Sequence, residues 1–162
     1  PIGKSIKEIN CEKIIDDIFK TSKIHSCSIT YPEDVAVGKT MEDNSQIKKL
    51  NEVENDDLIL DIGPKTINKI HRIIEASETV LWNGPAGYFE NPNFANGSYE
   101  IAKKIIKKNK NNLIYSVAGG GDTIAILNQI NALNDFNFVS TAGGAFLEYL
   151  EGKELPGIKA LS

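Results

Sequence analysis

The residues of this chain whose types and spacing best fit a chemical role are three consecutive glycines, an aspartate and a threonine at 119–123. They stand between an apolar run at 113–117 and a predicted helix that starts near Ile124. Glycines at such a junction let the backbone approach a ligand where a Cβ atom would collide. The first N–H groups of the helix, together with its dipole, attract phosphate. Asp122 is predicted to cap this helix or to face a magnesium ion carried by the phosphates.

Two other predicted strands also end in small or turn-forming residues. The run at 79–82 ends in Asn-Gly-Pro at 83–85, and the run at 136–140 is followed by a glycine pair at 143–144. In an open parallel sheet the carboxyl ends of the strands meet at one edge, where ligands bind. Two helix N-termini would then converge on one anion, which suits a phosphoryl group in transit. Close packing can explain one glycine turn, but three such strand ends favour a phosphate site.

Two common nucleotide motifs do not fit the sequence. A P-loop has a glycine five positions before its Gly-Lys-Thr triplet, but Glu33 holds that position before Gly38. The dinucleotide signature Gly-x-Gly-x-x-Gly fails because Ile124 stands where its last glycine belongs. Ser140 also stands where that signature expects an acidic residue. A NAD site of the Rossmann type is therefore not expected.

Length and composition indicate one soluble globular domain: 162 residues, of which 41% are apolar and 25% charged. The net charge of −4 argues against binding to nucleic acid. No apolar run is long enough to span a membrane, and no secretory signal opens the sequence. Cys11 and Cys27 have no neighbours at metal-ligand spacing, so reduced thiols and a cytoplasmic location are expected.

Strands and helices alternate along most of the sequence. Helices are predicted after Asn10, from Pro64, over 94–108, from the glycine turn to about Ala132 and over 146–150; strands are predicted at 27–31, 79–82, 113–117 and 136–140. Residues 38–57 are predicted to form a surface loop with one short hairpin or strand. Because strands alternate with helices, the strands are expected to pair in parallel, with right-handed crossovers connecting them. The predicted fold class is therefore α/β, with an open, mainly parallel sheet and helices on both faces, a Rossmann-like three-layer arrangement.

Longer runs of the sequence point to one family. They are Leu-Asp-Ile-Gly-Pro at 60–64, Val-Leu-Trp-Asn-Gly-Pro-Ala-Gly-Tyr-Phe-Glu at 80–90, Gly-Gly-Gly-Asp-Thr at 119–123, Ser-Thr-Ala-Gly-Gly-Ala at 140–145 and Leu-Glu-Gly-Lys-Glu-Leu-Pro-Gly at 150–157. With these runs in the family's order, the chain resembles the C-terminal, nucleotide-binding portion of phosphoglycerate kinases from residue 58 onward. Over residues 1–57 the resemblance is loose.

The resemblance implies transfer of a phosphoryl group between 1,3-bisphosphoglycerate and ADP, giving 3-phosphoglycerate and ATP, with Mg²⁺ accompanying the nucleotide. Asp122 would meet this metal, and the backbone N–H groups of the catalytic residues Gly120, Gly143 and Gly144 would stabilise the transferring group. The nucleotide-binding residues would be Leu60, Asn83 and Pro85 at the nucleoside, Glu90 at the ribose hydroxyls, and Gly120, Gly121, Asp122 and Thr123 at the phosphates. Asp122 as a helix cap only, Glu90 as a solvated carboxylate and Trp82 as a core residue are the plainer interpretations.

The resemblance also implies that residues 1–162 form only part of the C-terminal domain, without the N-terminal domain whose arginines bind phosphoglycerate. The expected consequences are an incomplete sheet, no partner strand for residues 26–37, and an open apolar face or sheet edge. The isolated chain is then expected to be inactive, and the complete protein to be a monomer. The alternative is a degenerate module that binds Mg-nucleotide weakly, or that acts through its exposed edge, without kinase activity.

Overall fold

The computed structural model describes residues 1–161, which contain six helices and six strands. The helices are α1 (Glu12–Ile24), α2 (Pro64–Ala76), α3 (Asn96–Asn109), α4 (Gly121–Gln129), α5 (Gly144–Leu150) and α6 (Pro156–Lys159). The strands are β1 (Asp34–Gly38), β2 (Gln46–Lys49), β3 (Leu58–Ile62), β4 (Thr79–Asn83), β5 (Tyr115–Gly119) and β6 (Phe138–Val139). No helix in this range combines the length and the apolar character that crossing a membrane requires.

The second half of the chain forms a parallel sheet in the order β4–β5–β6. Helix α3 connects β4 to β5, and α4 connects β5 to β6, so both connections are β–α–β crossovers. The register pairs Asn83 with Gly119 and Ala118 with Val139. The predicted α/β class and the parallel pairing are confirmed, and the carboxyl ends of these strands lie at one edge.

The first half of the chain adds an antiparallel sheet in the order β2–β1–β3, which the sequence pattern did not predict. Strand β1 pairs with β2 on one side and β3 on the other, and all of its residues are buried. Strand β2 is the short strand expected within residues 38–57. No α-helix separates these three strands along the chain, so the crossover that parallel pairing needs is missing.

Two expectations for residues 26–37 are wrong. Residues 27–31, predicted as a strand, have no regular secondary structure, and the strand begins at Asp34 instead. Residues 34–37, expected to lack a partner, pair in both directions, as Val35 does with Lys48 and Ile62. The sequence did not indicate β1 because this strand is buried on both faces. Its sequence is therefore an uninterrupted Val-Ala-Val run, without the alternation of apolar and polar residues by which a strand was predicted at 27–31.

Several predicted boundaries differ from the structure by two or three residues. Strand β5 starts at Tyr115 rather than Leu113, and α4 ends at Gln129 rather than near Ala132. Strand β6 has only two residues, and β3 and α6 were not predicted. Apolar runs extend beyond the hydrogen-bonded ladder, as at Ile114, which is buried although it precedes β5. Hydrophobic pattern therefore marks the core more reliably than it marks the ends of elements.

The core lies between the parallel sheet and helices α2, α3 and α4. Ile105, Ile126 and Leu127 have no exposed surface, and the ring of Trp82 stacks on that of Phe136 at a centroid distance of 6.3 Å. Trp82 is thus a core residue, as expected. Each such side chain contributes about 1.5–3 kcal/mol to folding through burial. This packing holds α4, and with it the glycine turn, against the ends of β4 and β5.

Helix α1 contributes nothing to that core. None of its residues is buried, and the apolar side chains of Ile14, Ile15, Ile18 and Phe19 are 43% to 63% exposed. The apolar face of α1 is therefore open in the described chain.

Candidate functional site

Three strand ends come together at the carboxyl edge of the parallel sheet. Asn83, the last residue of β4, is in register with Gly119, the last residue of β5. Ser140, which follows β6, donates its N–H to Ala118 O at 2.8 Å. The segments that follow these strands therefore leave the sheet side by side, as the sequence predicted.

Two of the glycines at this edge are explained by the chain's own structure. A Cβ atom on Gly119 would lie 2.6 Å from the ring of Phe146 in α5. Gly120 has a φ of +87°, which other residues rarely adopt, and its Cβ atom would lie 3.0 Å from Asn83 Oδ1. The side chain of Asn83 therefore lies beside the glycine turn. Packing and backbone conformation account for these two positions without a ligand.

The other glycines of the two turns face open space. Apart from adjacent residues and the backbone of the same helix, a Cβ atom on Gly121, Gly143 or Gly144 would meet no atom of the described chain within 4 Å. Gly143 still requires glycine for its φ of +58°. Gly121 and Gly144 are the first residues of α4 and α5 and have no positive φ. Their missing side chains serve no contact within the described residues, and they leave the backbone accessible to a ligand.

Asp122 does not cap helix α4, so the capping role predicted for it is wrong. The N-cap is Gly120, which provides no side-chain cap, and the helix begins at Gly121. The cap was misplaced because a glycine with positive φ turns the chain two residues before Asp122. Asp122 is an exposed residue in the first turn of the helix. A carboxylate there gains about 0.3–1 kcal/mol from the helix dipole and offers the oxygen ligands that Mg²⁺ prefers.

Thr123 is fully buried, unlike its neighbours Gly121 and Asp122. Its hydroxyl oxygen accepts a hydrogen bond from the N–H of Gly84 at 2.6 Å. The side chain of Thr123 thus already has a partner within the protein.

The predicted nucleoside residues lie near one another only in part. Leu60 is buried beside Phe94, and Leu60 and Pro85 both line a groove of about 360 Å³. Glu90 is exposed and is not among the residues that line this groove. Asn83 lies instead beside the glycine turn, as described above. The structure therefore brings Leu60 and Pro85 together in one groove, which Glu90 does not line.

The segment 84–90 follows β4 and is here termed the connecting loop. Three of its backbone N–H groups donate to three different elements. Gly84 donates to the Thr123 hydroxyl of α4, as described; Ala86 donates to Ser98 Oγ of α3 at 2.9 Å, and Tyr88 donates to Leu60 O of β3 at 2.6 Å. Sequence reasoning did not identify Ser98. The sequence feature that could have indicated this role is the position of Ser98 on the apolar face of a predicted helix, three positions before Ile101.

Asp61 is a second residue that sequence reasoning did not assign. It is 3% exposed, and its carboxylate accepts hydrogen bonds from Gly97 N at 2.7 Å and Ile62 N at 2.8 Å. A Cβ atom on Gly87 or Gly97 would lie within 2.6 Å of Asp61 Oδ1. Both glycines are therefore needed because this carboxylate lies between the connecting loop and the start of α3. Burial raises the pKa of Asp61, although the two N–H donors oppose that shift.

Three carboxylates, those of Glu54, Asp56 and Asp57, lie close enough together to bind a metal ion. The ammonium group of Lys39 already occupies this position, with contacts of 2.7, 2.6 and 2.9 Å to the three residues in that order. Burial by itself would raise the pKa of Asp57, but the ammonium groups of Lys48 and Lys39 outweigh it and lower the pKa. The cluster is an ion-pair network that fastens the loop before β3 to Lys48 of β2 and to Lys39, which follows β1.

Comparison with known proteins gives the family. The family model described as phosphoglycerate kinase matches residues 1–153. The chain belongs to the phosphoglycerate kinase family. The resemblance found in the sequence is thereby confirmed, and the glycine turn and connecting loop are parts of a phosphoglycerate kinase fold.

Several relatives carry the name phosphoglycerate kinase. That of Zymomonas mobilis is 44% identical and that of Azorhizobium caulinodans 43% identical, in each case over 99% of this chain and 41% of the relative. The structure of phosphoglycerate kinase from Coxiella burnetii matches with a TM-score of 0.90 and 36% identity, over 100% of this chain and 41% of that one. The Pyrococcus horikoshii enzyme matches with a TM-score of 0.72 and 29% identity, covering 99% and 40%. The chain thus spans about two fifths of the length of these relatives.

Proposed function

We propose that this chain supplies the nucleotide-binding part of a phosphoglycerate kinase, a glycolytic phosphotransferase with a carboxyl group as acceptor. The reaction would move a phosphoryl group between 1,3-bisphosphoglycerate and ADP, giving 3-phosphoglycerate and ATP. The observation that carries the proposal is the open space at Gly121 and Gly144, where no contact within the described chain explains the lack of a side chain.

The phosphate side of the site would rest on backbone N–H groups. Those of Gly120, Gly143 and Gly144 would face the transferring group, with Gly121 at the nucleotide phosphates. Phosphoryl transfer needs little covalent chemistry from a protein, so positioning and charge stabilisation supply most of the catalysis. Donors held rigidly by secondary structure suit this role because they need no reorganisation during the reaction.

Asp122 would hold the Mg²⁺ that accompanies ADP or ATP. The Asp122 side chain is suited to bind this ion, because it is an exposed carboxylate beside the open glycines. The N-cap of α4 is Gly120, so the Asp122 carboxylate is not used to cap the helix. Mg²⁺ binds oxygen ligands, commonly one or two carboxylates together with phosphate oxygens. When bound, the metal would neutralise charge on the phosphates.

The nucleoside side would be formed by Leu60, Asn83 and Pro85, with Glu90 at the ribose hydroxyls. The groove that Leu60 and Pro85 share supports the contacts proposed for these two residues. Asn83 is suited to link the two halves of the site, because it is exposed and lies within 3.5 Å of the position of a Cβ atom on Gly120.

Turnover is proposed to require residues beyond this chain. Phosphoglycerate carries a phosphate and a carboxylate, which arginine binds in a bidentate manner. Arg72 is the only arginine of the sequence, and it lies in α2, where it lines a cavity with Lys65, Lys69 and Glu33 rather than with the strand ends described above. The pure chain should therefore bind MgADP without converting acyl phosphate to ATP. The complete protein is proposed to be a cytoplasmic monomer.

The alternative function is that of a module without kinase activity, acting through binding alone. The exposed apolar face of α1 favours this possibility. A degenerate module that still binds Mg-nucleotide would differ from the proposal only in lacking kinase activity, whereas a module that acts through its exposed face alone would not bind nucleotide at the glycine-lined site.

Thermal unfolding with and without MgADP tests the proposal. At a hundredfold excess over Kd, bound ligand adds about 2.7 kcal/mol, a rise in Tm of roughly 5–10 °C for a domain of this size. Asp122→Asn should abolish most of this rise. Glu12→Gln is the matched control, because Glu12 is also an exposed carboxylate in the first turn of a helix. A cooperative wild-type transition that MgADP does not move would contradict the proposal and favour the alternative.

A further inference from the structure

The hydrogen bond between Gly84 N and the Thr123 hydroxyl joins two segments of the chain that are 39 residues apart in sequence. Thr123 belongs to α4, next to the open glycine at 121, and Gly84 begins the connecting loop that carries Pro85. The Thr123 side chain has no exposed surface. A ligand in the open space therefore cannot reach its hydroxyl without displacing protein atoms.

Three backbone N–H groups of the connecting loop donate to other elements, and that of Gly84 is the one that reaches α4, the helix at the glycine turn. Pro85 has no N–H and cannot anchor the loop itself. The next donors, Ala86 and Tyr88, bind Ser98 of α3 and Leu60 of β3, and Leu60 lines the groove proposed for the nucleoside. If the Gly84 bond were lost, the loop would keep its attachment to the nucleoside side but not to α4.

We infer that Thr123 is a positioning residue of the nucleotide site, whose buried hydroxyl holds the connecting loop against α4 rather than binding phosphate. The inference rests on the proposed function and deepens it: it assigns Thr123 to the nucleoside half of the site through Gly84 and Pro85. The phosphate half depends instead on Gly121 and Asp122, which are exposed.

Ligand fragments separate the two roles. Thr123→Val keeps the shape of the side chain and removes the acceptor, and Thr123→Ser keeps the hydroxyl. With the pure chain, Thr123→Val should weaken adenosine and ADP about fivefold, the effect of one lost hydrogen bond, and leave Mg-pyrophosphate affinity unchanged. Thr123→Ser should restore adenosine binding. Thr21→Val, at an exposed threonine of α1, should change none of these affinities.

Two outcomes of the titrations would overturn the inference. In one, Thr123→Val weakens pyrophosphate and leaves adenosine unchanged, which would make the hydroxyl a phosphate ligand. In the other, Thr123→Val changes neither affinity. Failure of the wild-type chain to bind ADP at all would instead count against the proposed function.

Amide hydrogen exchange tests the anchor without a nucleotide. Thr123→Val should speed exchange at the Gly84 N–H and leave that of Tyr88 protected, because Tyr88 has its own acceptor. Equal exchange at Gly84 in the wild type and the variant would overturn the inference. If Thr123→Val does not fold, the wild type still decides: adenosine, which has no phosphate, should slow exchange at Gly84, and no slowing would overturn the inference.

Discussion

At the scale of single residues, buried polar groups set the shape of the site. Asp61 lies beneath the connecting loop, and two glycines make room for it. Its carboxylate is buried among backbone N–H donors and receives no ion pair in the contacts of the described chain. Burying a charged carboxylate in this way costs free energy. The pKa of Asp61 is therefore raised, because burial disfavours its charged form.

Asp61 should make folding stability depend on pH with a definite sign. Because the folded-state pKa is raised, the folded protein still holds the Asp61 proton just above about pH 4, where the unfolded chain has released it. Stability from this group is therefore present at low pH and is lost as pH rises through the folded pKa. In Asp61→Asn, this decrease in stability with rising pH should disappear, because the amide side chain does not titrate. Thermal melts from acidic to neutral pH measure it, with Asp16→Asn on the exposed face of α1 as control. Parallel pH profiles for the wild type and Asp61→Asn would contradict this assignment.

At the scale of elements, helix ends are secured by side chains from elsewhere in the fold. Asp34 of β1 accepts hydrogen bonds from Lys65 N and Thr66 N at the start of α2. At the other end of α2, the ammonium group of Lys108 donates to the carbonyls of Ile74 and Glu75 at 3.0 and 2.6 Å. It also donates to that of Ser77. Helix α2 is thus held at both ends, which fixes the layer against which β4 packs.

Removing the Lys108 ammonium should destabilise the fold by about 1–3 kcal/mol, because carbonyls at the end of α2 lose a charged donor. The change is Lys108→Met, which keeps most of the apolar stem. Lys103→Met serves as the control on the same helix, since Lys103 is exposed and, among residues 1–161, forms an ion pair only with Glu100, an interaction worth about 0.3–0.5 kcal/mol. Urea unfolding gives both values. Equal losses for the two variants would show that Lys108 acts as an ordinary surface lysine.

At the scale of the whole molecule, apolar side chains are divided between a closed core and an open helix. The core packs the parallel sheet against α2, α3 and α4. Helix α1 has the apolar periodicity of a packed helix but buries none of its residues. Most of the stability should therefore come from the buried residues between Asp34 and Ser140, and little from α1.

The same change, Ile to Ala, made once in the core and once in α1 tests whether stability comes from the core rather than from α1. Ile105→Ala removes a side chain with no exposed surface and should cost about 2–5 kcal/mol through lost burial and a cavity. Ile18→Ala, in the half-exposed face of α1, should change the free energy of unfolding by less than about 0.5 kcal/mol. Denaturant unfolding at equal protein concentrations provides both numbers. A large cost at Ile18, rising with protein concentration, would indicate that α1 is covered by another copy of the chain.

The sequence by itself determined the fold class and the region of the site. Helical and strand periodicity located α1, α2, α3, β4 and β5, because local apolar pattern follows the repeat of each element. Glycine clusters after three strands indicated where those strands end, and parallel pairing then brings the ends to one edge. The position of the glycine turn, and of Asp122 beside it, could thus be predicted from neighbouring residues alone.

Only the tertiary structure decided how the parts of the site are held. Pairing of β1 with β3, the place of Asp61 between two glycines, and the bonds from the connecting loop to Ser98 and Thr123 join residues far apart in the chain. A buried polar side chain is read from sequence as a surface or capping residue, since its partner cannot be seen there. The cap predicted at Asp122 failed for a different reason: the positive φ of Gly120, which the packing of the turn beside Asn83 accommodates, starts the helix two residues earlier.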